Sequence, residues 1–266
     1  IFFKDSLFSR NVKGTSESLK KISRNDIFKI HKESFTKNNL IIGVAGNIDS
    51  ENAKKYIDYV FGELPSSKAK RETPPFNNLE KGKEFFEMET PQATIVFGQR
   101  GFGRKNKDYF AARVLNYVLG GGGFQSRLYK EVREKNGLVY SIYSYLMPYE
   151  SDGVIIGGFQ TRNKNVDETI LKVKQEWKKM KNQGISANEL KEAKTYYKGS
   201  FSRNFTSTIS IATLLKVVQY YDLGKDYFAN RSGIIDNLKL KEINSLASRI
   251  FDEKNLFFMI VGKRNM

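Results

Sequence analysis

An internal repeat constrains the fold of this chain more than any other feature of its sequence. The run Phe35–Asn47 (FTKNNLIIGVAGN) aligns with Phe251–Lys263 (FDEKNLFFMIVGK), and the apolar stretch of each run ends at a glycine, Gly46 or Gly262. Upstream, three apolar residues of each copy align: Ile22, Ile27 and Ile30 with Leu238, Ile243 and Leu246. Each copy has the pattern of an amphipathic helix, a short polar link and an apolar strand. The sequence therefore predicts two copies of one domain.

A linker-like segment separates the two predicted copies. Glu63–Asn78 contains three of the five prolines of the chain, together with serines and charged residues, and this composition is typical of domain linkers. We therefore place a domain boundary at residues 65/66. Because the matching segment of the first copy lies near Ile1, we expect about 150 or more residues of that copy to precede this chain.

The remaining pattern predicts an α+β fold. Ser23 and Asp26 have capping-box spacing at the start of a helix that extends to Phe35, and a strand at 40–45 and a helix at 50–61 follow. Beyond the linker we predict strands at 83–89, 94–99, 139–146, 153–160 and 256–261, and helices at 108–119, 124–134, 166–182, 187–201, 209–223 and 240–251. This order indicates duplicated domains with a largely antiparallel sheet covered on one face by helices.

Composition and charge narrow the functional classes. The chain has a net charge of +16, but its lysines and asparagines are spread along the sequence instead of forming one stripe, which disfavours a dedicated nucleic-acid site. It has no cysteine and one histidine, His31, so it lacks the paired thiolates or imidazoles of most zinc sites; we interpret His31 as a helix-surface residue. Its apolar stretches are far shorter than the roughly 20 residues of a spanning helix. The absence of disulfides is compatible with periplasm and cytoplasm alike.

The segment from Arg133 to Tyr140 carries the strongest site pattern. It places a cation at the end of a predicted helix and a phenol on the following strand, with an Asn136-Gly137 turn between them. A structural interpretation is also open: Arg133 can stabilise the helix C-terminus electrostatically, and Tyr140 can fill a strand face.

A run of glycines, Gly120, Gly121, Gly122 and Gly123, lies between two predicted helices. It lacks the spacing of a phosphate-binding loop, so nucleotide binding is disfavoured. Glycines at such a turn permit close backbone approach and positive φ. Nearby, Arg127 is predicted to be structural and to pair with a carboxylate elsewhere in the domain.

Three segments resemble the pitrilysin/insulinase family of zinc peptidases, which includes mitochondrial processing peptidase: Gly14–Ile22 (GTSESLKKI), Asn39–Asp49 (NLIIGVAGNID) and Leu119–Ser144 (LGGGGFQSRLYKEVREKNGLVYSIYS). The resemblance covers nearly the whole chain in collinear order. In that family each half of the molecule consists of two duplicated α+β domains. The resemblance thus implies that residues 1–65 are the C-terminal part of one peptidase-like domain and that residues 66–266 are the complete next one.

The same resemblance implies a division of the active site. The zinc-binding H-x-x-E-H motif of the family is absent from this chain, so this chain alone is expected to be inactive. The zinc is expected in a missing upstream domain or in a partner subunit. Arg133 and Tyr140 match the arginine and tyrosine that the family adds from its second domain, and the glycine run lies where the family has a loop beside the substrate path. Peptide contact and a plain helix-to-helix turn both remain open for Gly120–Gly123.

Three functional hypotheses follow. The first is the substrate-binding part of a zinc metallopeptidase that acts on peptides or unfolded proteins, as a homodimer or with a zinc-bearing subunit. The second is a non-catalytic scaffold subunit of the same fold, which an intact Arg133/Tyr140 pair disfavours. The third is a basic nucleic-acid-binding protein, which only the net charge favours.

Overall fold

The computed structural model describes residues 2–4, 6–66, 76 and 79–264, and these group into two units. The sheet unit comprises Ile1–Ser6, Pro75–Gly199 and Ala229–Met266, and the helical unit comprises Leu7–Pro74 and Ser200–Phe228. Most of the predicted linker, residues 67–75, 77 and 78, lies outside the described residues. The assignment of residues 1–65 and 66–266 to two duplicated domains stays a prediction.

The sheet unit is organised by five strands in the order β1-β5-β2-β4-β3. The strands are β1 (Gly82–Glu87), β2 (Gln92–Arg100), β3 (Val139–Pro148), β4 (Gly153–Arg162) and β5 (Phe257–Gly262). β1 pairs with β5 in parallel, whereas the other three pairings are antiparallel. The predicted largely antiparallel sheet of an α+β fold is confirmed.

Helices cover one face of this sheet. The described residues form, in chain order, α1 (Ser16–Lys20), α2 (Arg24–Ser34), α3 (Ser50–Phe61), α4 (Tyr109–Asn116), α5 (Val166–Gln183), α6 (Ala187–Gly199), α7 (Thr208–Tyr220), α8 (Tyr227–Asp236) and α9 (Leu240–Ile250). Of these, α4, α5, α6, α9 and most of α8 belong to the sheet unit, and the others belong to the helical unit. Along β2, Ile95 and Phe97 face the helices and are buried, whereas Val96 between them is exposed, as expected for a sheet with one covered face.

Two hydrogen bonds of one buried glutamine side chain connect helices α5 and α9 to the sheet. The Trp177 indole Nε1 of α5 donates to the Gln99 Oε1 of β2 at 2.7 Å, and Gln99 Nε2 donates to the Ile250 carbonyl of α9 at 2.7 Å. The Trp177 ring also packs edge-to-face on Phe97, with centroids 5.6 Å apart. Since both polar groups of Gln99 are satisfied, its burial carries little desolvation penalty.

The helical unit confirms the predicted helix starts. Ser23 and Asp26 form a reciprocal capping box at α2, and the Asp49 carboxylate accepts from the Asn52 amide at 2.8 Å at the start of α3. The predicted strand at 40–45 is wrong: this segment has no ladder pairing within the described residues. The Ile42 carbonyl accepts instead from the Gln219 side chain of α7 at 2.9 Å. A β-strand forms only where its backbone N–H and C=O groups can hydrogen-bond to a neighbouring strand. The apolar pattern of 40–45 does not show whether such a neighbour exists.

The two copies of the repeat share a helix and a 3-10 turn, but within the described residues only the second copy forms a strand. α2 and α9 are both 11 residues long and occupy equivalent positions, and the 3-10 turn Lys37–Asn39 is equivalent to Glu253–Asn255. Their burial differs. Three aligned apolar residues are at most 1% exposed in the second copy and 55–60% exposed in the first: Ile243, Leu246 and Phe251 against Ile27, Ile30 and Phe35.

Candidate functional site

The structure brings Arg133 and Tyr140 together at one end of the sheet unit. Arg133 lies on a π-helical segment, Tyr129–Lys135, and Tyr140 is the second residue of β3. Between them, Gly137 has a φ of +61°, and its amide donates to the Arg133 carbonyl at 3.0 Å. The chain therefore reverses at this turn and places the guanidinium carbon of Arg133 5.3 Å from the centroid of the Tyr140 ring.

Aromatic rings surround the Arg133 guanidinium. Besides Tyr140, its central carbon lies 4.6 Å from the Tyr129 ring centroid and 6.0 Å from that of Phe124, within the range of cation–π attraction. In the described part of the chain, no carboxylate lies within ion-pair distance of this guanidinium. In the Arg133 cluster, which we define as Arg133, Phe124, Tyr129 and Tyr140, three rings thus surround the cation, and within the described residues its N–H groups have no hydrogen-bond acceptor.

The cluster faces solvent on one side. Tyr140 is 86% exposed and Phe124 is 68% exposed, whereas Tyr129 is buried beneath them. Exposed aromatic side chains beside a cation without a carboxylate partner present an apolar surface and hydrogen-bond donors to the same ligand. Such an arrangement can bind an extended polypeptide, which offers both side chains and backbone carbonyl acceptors.

The first half of the glycine run packs tightly against β3. A Cβ at Gly120 would lie 2.4 Å from Ser144 Oγ and 2.8 Å from the Ser144 amide nitrogen, and one at Gly121 would lie 2.8 Å from Asn116 Nδ2. Asn116 and Ser144 are buried and bound reciprocally: Nδ2 donates to the Ser144 carbonyl at 3.0 Å, and Ser144 Oγ donates to Oδ1 at 2.8 Å. These two glycines permit a close contact between helix and strand.

The second half of the run shapes a turn. A Cβ at Gly122 would lie 2.8 Å from the Tyr117 carbonyl, whereas Gly123 has a φ of +58° and open space around its α-carbon. The Ser126 hydroxyl donates to the Gly123 carbonyl at 2.7 Å. This turn places Phe124 against Tyr129, with ring centroids 4.8 Å apart. The structure thus supplies a packing reason for Gly120–Gly122 and a conformational reason for Gly123.

Arg127 has the structural partner that the sequence predicts. Its Nε and a terminal nitrogen donate to the two carboxylate oxygens of Glu189 at 2.7 and 2.8 Å, and the same terminal nitrogen donates to the Gly184 carbonyl at 2.9 Å. Burial alone would raise the pKa of the Glu189 carboxyl, but hydrogen bonds from Arg127 and from the Ser186 backbone outweigh it and lower the pKa below its ordinary value. This pair joins the start of α6 to the segment that leads into the Arg133 cluster.

The described residues do not fit a zinc ion. His31 is exposed on α2 and stacks on Phe35 with centroids 4.7 Å apart, as the prediction of a helix-surface residue requires. Across the described ranges, no three histidine, cysteine, aspartate or glutamate side chains are grouped closely enough to hold a metal ion. In the same part of the chain, no helix has the length and apolar character that crossing a membrane requires.

Comparison with known proteins identifies the family. The family model described as "Peptidase M16 inactive domain" matches residues 21–197, which is more than half of the chain. The chain belongs to the peptidase M16 family. The resemblance to pitrilysin/insulinase-type zinc peptidases is confirmed, and the matched domain is the one that the family description calls inactive.

Relatives of this M16 chain carry contrasting names. A Bacillus subtilis protein named "Uncharacterized zinc protease YmxG" is 30% identical over 266 residues, which cover 95% of this chain and 61% of that protein. A Helicobacter pylori protein named "Non-peptidase homolog YmxG" is also 30% identical, over 257 residues, which cover 94% of this chain and 58% of that protein. The chain therefore spans about three fifths of the length of these relatives.

Solved structures share the fold of this M16 chain. The peptidase M16 inactive domain from Pseudomonas fluorescens superposes with a TM-score of 0.89 at 24% identity, over 96% of this chain and 61% of that one. A chain of complex III2 from Candida albicans superposes with a TM-score of 0.77 at 18% identity, over 96% and 62%. At these identities the likeness concerns the fold alone.

Sequence reasoning missed two members of the Arg133 cluster, Phe124 and Tyr129. For Tyr129 a signal was present, because it precedes Arg133 by four positions, a spacing that brings side chains together on a helix. No comparable local signal pointed to Phe124, since only the turn at Gly123 directs its ring toward Tyr129.

Proposed function

We propose that this M16 chain is the substrate-binding, non-zinc part of a peptidase that cleaves peptides or unfolded proteins. Arg133 and Tyr140 supply hydrogen-bond donors to an active site whose zinc is held by another domain or by a zinc-bearing subunit, in a homodimer or a heterodimer. One observation carries the proposal: the Arg133 guanidinium lies beside the exposed Tyr140 phenol, and within the described residues it forms no ion pair with a carboxylate.

The chemistry of the pair suits a peptide bond under attack. A peptide carbonyl gains negative charge on its oxygen in the transition state, and fixed N–H and O–H donors aimed at that oxygen stabilise the charge. The Arg133 guanidinium presents several N–H groups in one plane. Its central carbon lies 5.3 Å from the Tyr140 ring centroid, so the Tyr140 hydroxyl provides a second donor beside it.

A second candidate is a non-catalytic scaffold of the same fold. The Helicobacter pylori relative named as a non-peptidase homolog is as similar to this chain, at 30% identity, as the Bacillus subtilis relative named as a zinc protease. In a scaffold the Arg133 cluster would bind a partner segment or pack internally, and its substitution would leave peptide turnover unaffected because there would be none to lose.

The decisive experiment combines zinc analysis with turnover in the full-length protein, purified without chelator. Close to one zinc per chain, with turnover of an unfolded protein, supports a zinc-bearing domain in the same polypeptide. No zinc, with turnover only after a zinc-bearing subunit is added, supports a heterodimer. No turnover under either condition supports the scaffold.

Two variants then test the site itself. Arg133→Ala and Tyr140→Phe are each expected to lower kcat/KM by about tenfold or more, since each removes a donor to the developing charge. Tyr145→Phe is the matched control, because Tyr145 is a half-exposed tyrosine on the same strand that makes no ring contact with Arg133. If both site variants stay within twofold of the wild type, Arg133 and Tyr140 are not the site.

A further inference from the structure

The Arg133 cluster contains two rings that the proposed chemistry does not use, Phe124 and Tyr129. Both approach the guanidinium, at 6.0 and 4.6 Å from its central carbon, and they contact each other edge-to-face with an interplanar angle of 85°. Tyr129 is buried, but Phe124 is 68% exposed. Burial of its own apolar area therefore does not explain the position of Phe124.

The backbone around Phe124 is built to hold that position. Gly123 adopts a φ of +58°, a conformation that other residues rarely adopt. Its carbonyl accepts from both the amide and the hydroxyl of Ser126, at 3.0 and 2.7 Å. The Gly122 carbonyl accepts from the Gln125 amide at 3.3 Å. Three hydrogen bonds thus fix a three-residue turn whose only exposed apolar side chain is Phe124.

We propose that Phe124 and Tyr129 are positioning residues that act through Arg133. This inference rests on the proposed function. A lone arginine side chain on a surface samples many rotamers, and an ion pair would restrict it only by occupying its donors. Ring faces restrict the guanidinium differently: they attract its faces and leave its N–H edge free. The glycine run thereby acts on substrate through Phe124 and Arg133.

The first test is spectroscopic and needs no turnover. In the full-length protein, the Arg133 Nε–Hε resonance is assigned by its loss in Arg133→Lys. Ring currents shift a stacked Hε upfield, so Phe124→Leu and Tyr129→Leu are each expected to move this resonance toward the position of an unstacked arginine. Phe124→Tyr keeps a ring and is expected to preserve the shift. Tyr145→Leu is the control and is expected to leave the resonance unchanged. If neither leucine variant moves the resonance more than this control does, the inference is wrong.

The second test is a double-mutant cycle in kcat/KM. Phe124→Leu is expected to lower kcat/KM by about two- to fivefold in the wild-type background, the range of one cation–π contact, and to have no further effect when Arg133 is already alanine. Equal losses in both backgrounds would show that Phe124 acts independently of Arg133 and would overturn the positioning role. Absence of turnover by the wild type, both alone and with a zinc-bearing subunit, would refute the proposed function, while the Arg133 resonance would still decide whether the two rings hold the guanidinium.

Discussion

Replacing Gly120 with alanine tests whether the glycine run is required by packing. The added Cβ would lie 2.8 Å from the Ser144 backbone nitrogen and 2.9 Å from Leu128 Cδ1, as well as 2.4 Å from Ser144 Oγ. These distances are shorter than van der Waals contact, and the strand backbone does not move easily. The Ser144 hydroxyl is also fixed, because it donates to Asn116 Oδ1 at 2.8 Å.

The expected loss follows from three contributions. Inserting a methyl group into a packed contact destabilises by about 1–3 kcal/mol, and displacing the Ser144 hydroxyl from its buried partner costs about 1 kcal/mol more. Against these losses, replacing a helical glycine by alanine stabilises the helix by up to about 1 kcal/mol. We therefore expect Gly120→Ala to lower the free energy of unfolding by about 2 kcal/mol. For an unfolding unit of 150–250 residues, this lowers the melting temperature by about 4–8 °C.

The assay is thermal unfolding of the full-length protein beside a matched control, Gly233→Ala. Gly233 lies within α8, is exposed, and has no atom within 4 Å of an added Cβ. The control is expected to be neutral or more stable by up to about 1 kcal/mol. If Gly120→Ala melts at or above the temperature of Gly233→Ala, the helix and β3 are not packed as closely as described, and the packing argument for the run is refuted.

Four further predictions concern other contacts. Arg127→Ala is expected to destabilise by about 1–3 kcal/mol in urea unfolding, since it leaves the partly buried Glu189 carboxylate without its bidentate donor; unchanged stability would contradict this role. Because the pKa of Glu189 is lowered in the folded state, its ionised carboxylate stabilises the fold fully at pH values above the ordinary pKa of 4.5, and this contribution is lost as pH falls through the lower folded-state pKa. The stability difference between the wild type and Arg127→Ala should therefore shrink on acidification; a constant difference would exclude this linkage. Trp177→Phe is expected to cost about 1–3 kcal/mol, because it leaves a buried amide oxygen without its donor; chemical denaturation measures it. In the full-length protein, Ile27→Ala is expected to cost about 2–5 kcal/mol, as at the buried equivalent Ile243, if the first copy is completed by a domain like the second; a neutral result would contradict the predicted duplication.

Much of the local structure could be predicted from sequence alone. The Ser23/Asp26 capping box, the start of α3 after Asp49 and the strand predicted at 94–99 are near-neighbour patterns, and each appears in the structure where the sequence predicts it. The approach of Arg133 and Tyr140 is also local, because an Asn136-Gly137 turn reverses the chain between a helix and a strand. Contacts within a few residues depend on backbone preferences that the residues themselves set.

Contacts between distant residues required the tertiary structure. The sequence predicted a carboxylate partner for Arg127, but only the fold identified Glu189. It predicted a strand at 40–45, whereas in the described part of the chain those residues have no ladder partner. It left the glycine run open between two interpretations, until the distance from Gly120 to Ser144 gave a packing reason.

The difference between what the sequence predicted and what only the tertiary structure showed has one physical reason. The sequence by itself determined helix starts, strand alternation, the repeat and the Arg133–Tyr140 turn, because these depend on residues close to one another along the chain. Only the tertiary structure decided the strand order β1-β5-β2-β4-β3, the position of the Phe124 ring beside Arg133 and, within the described residues, the absence of a carboxylate at ion-pair distance from that cation. These features depend on which residues far apart in the sequence pack together. Because protein interiors are close-packed, each such contact depends on the side chains of many other segments.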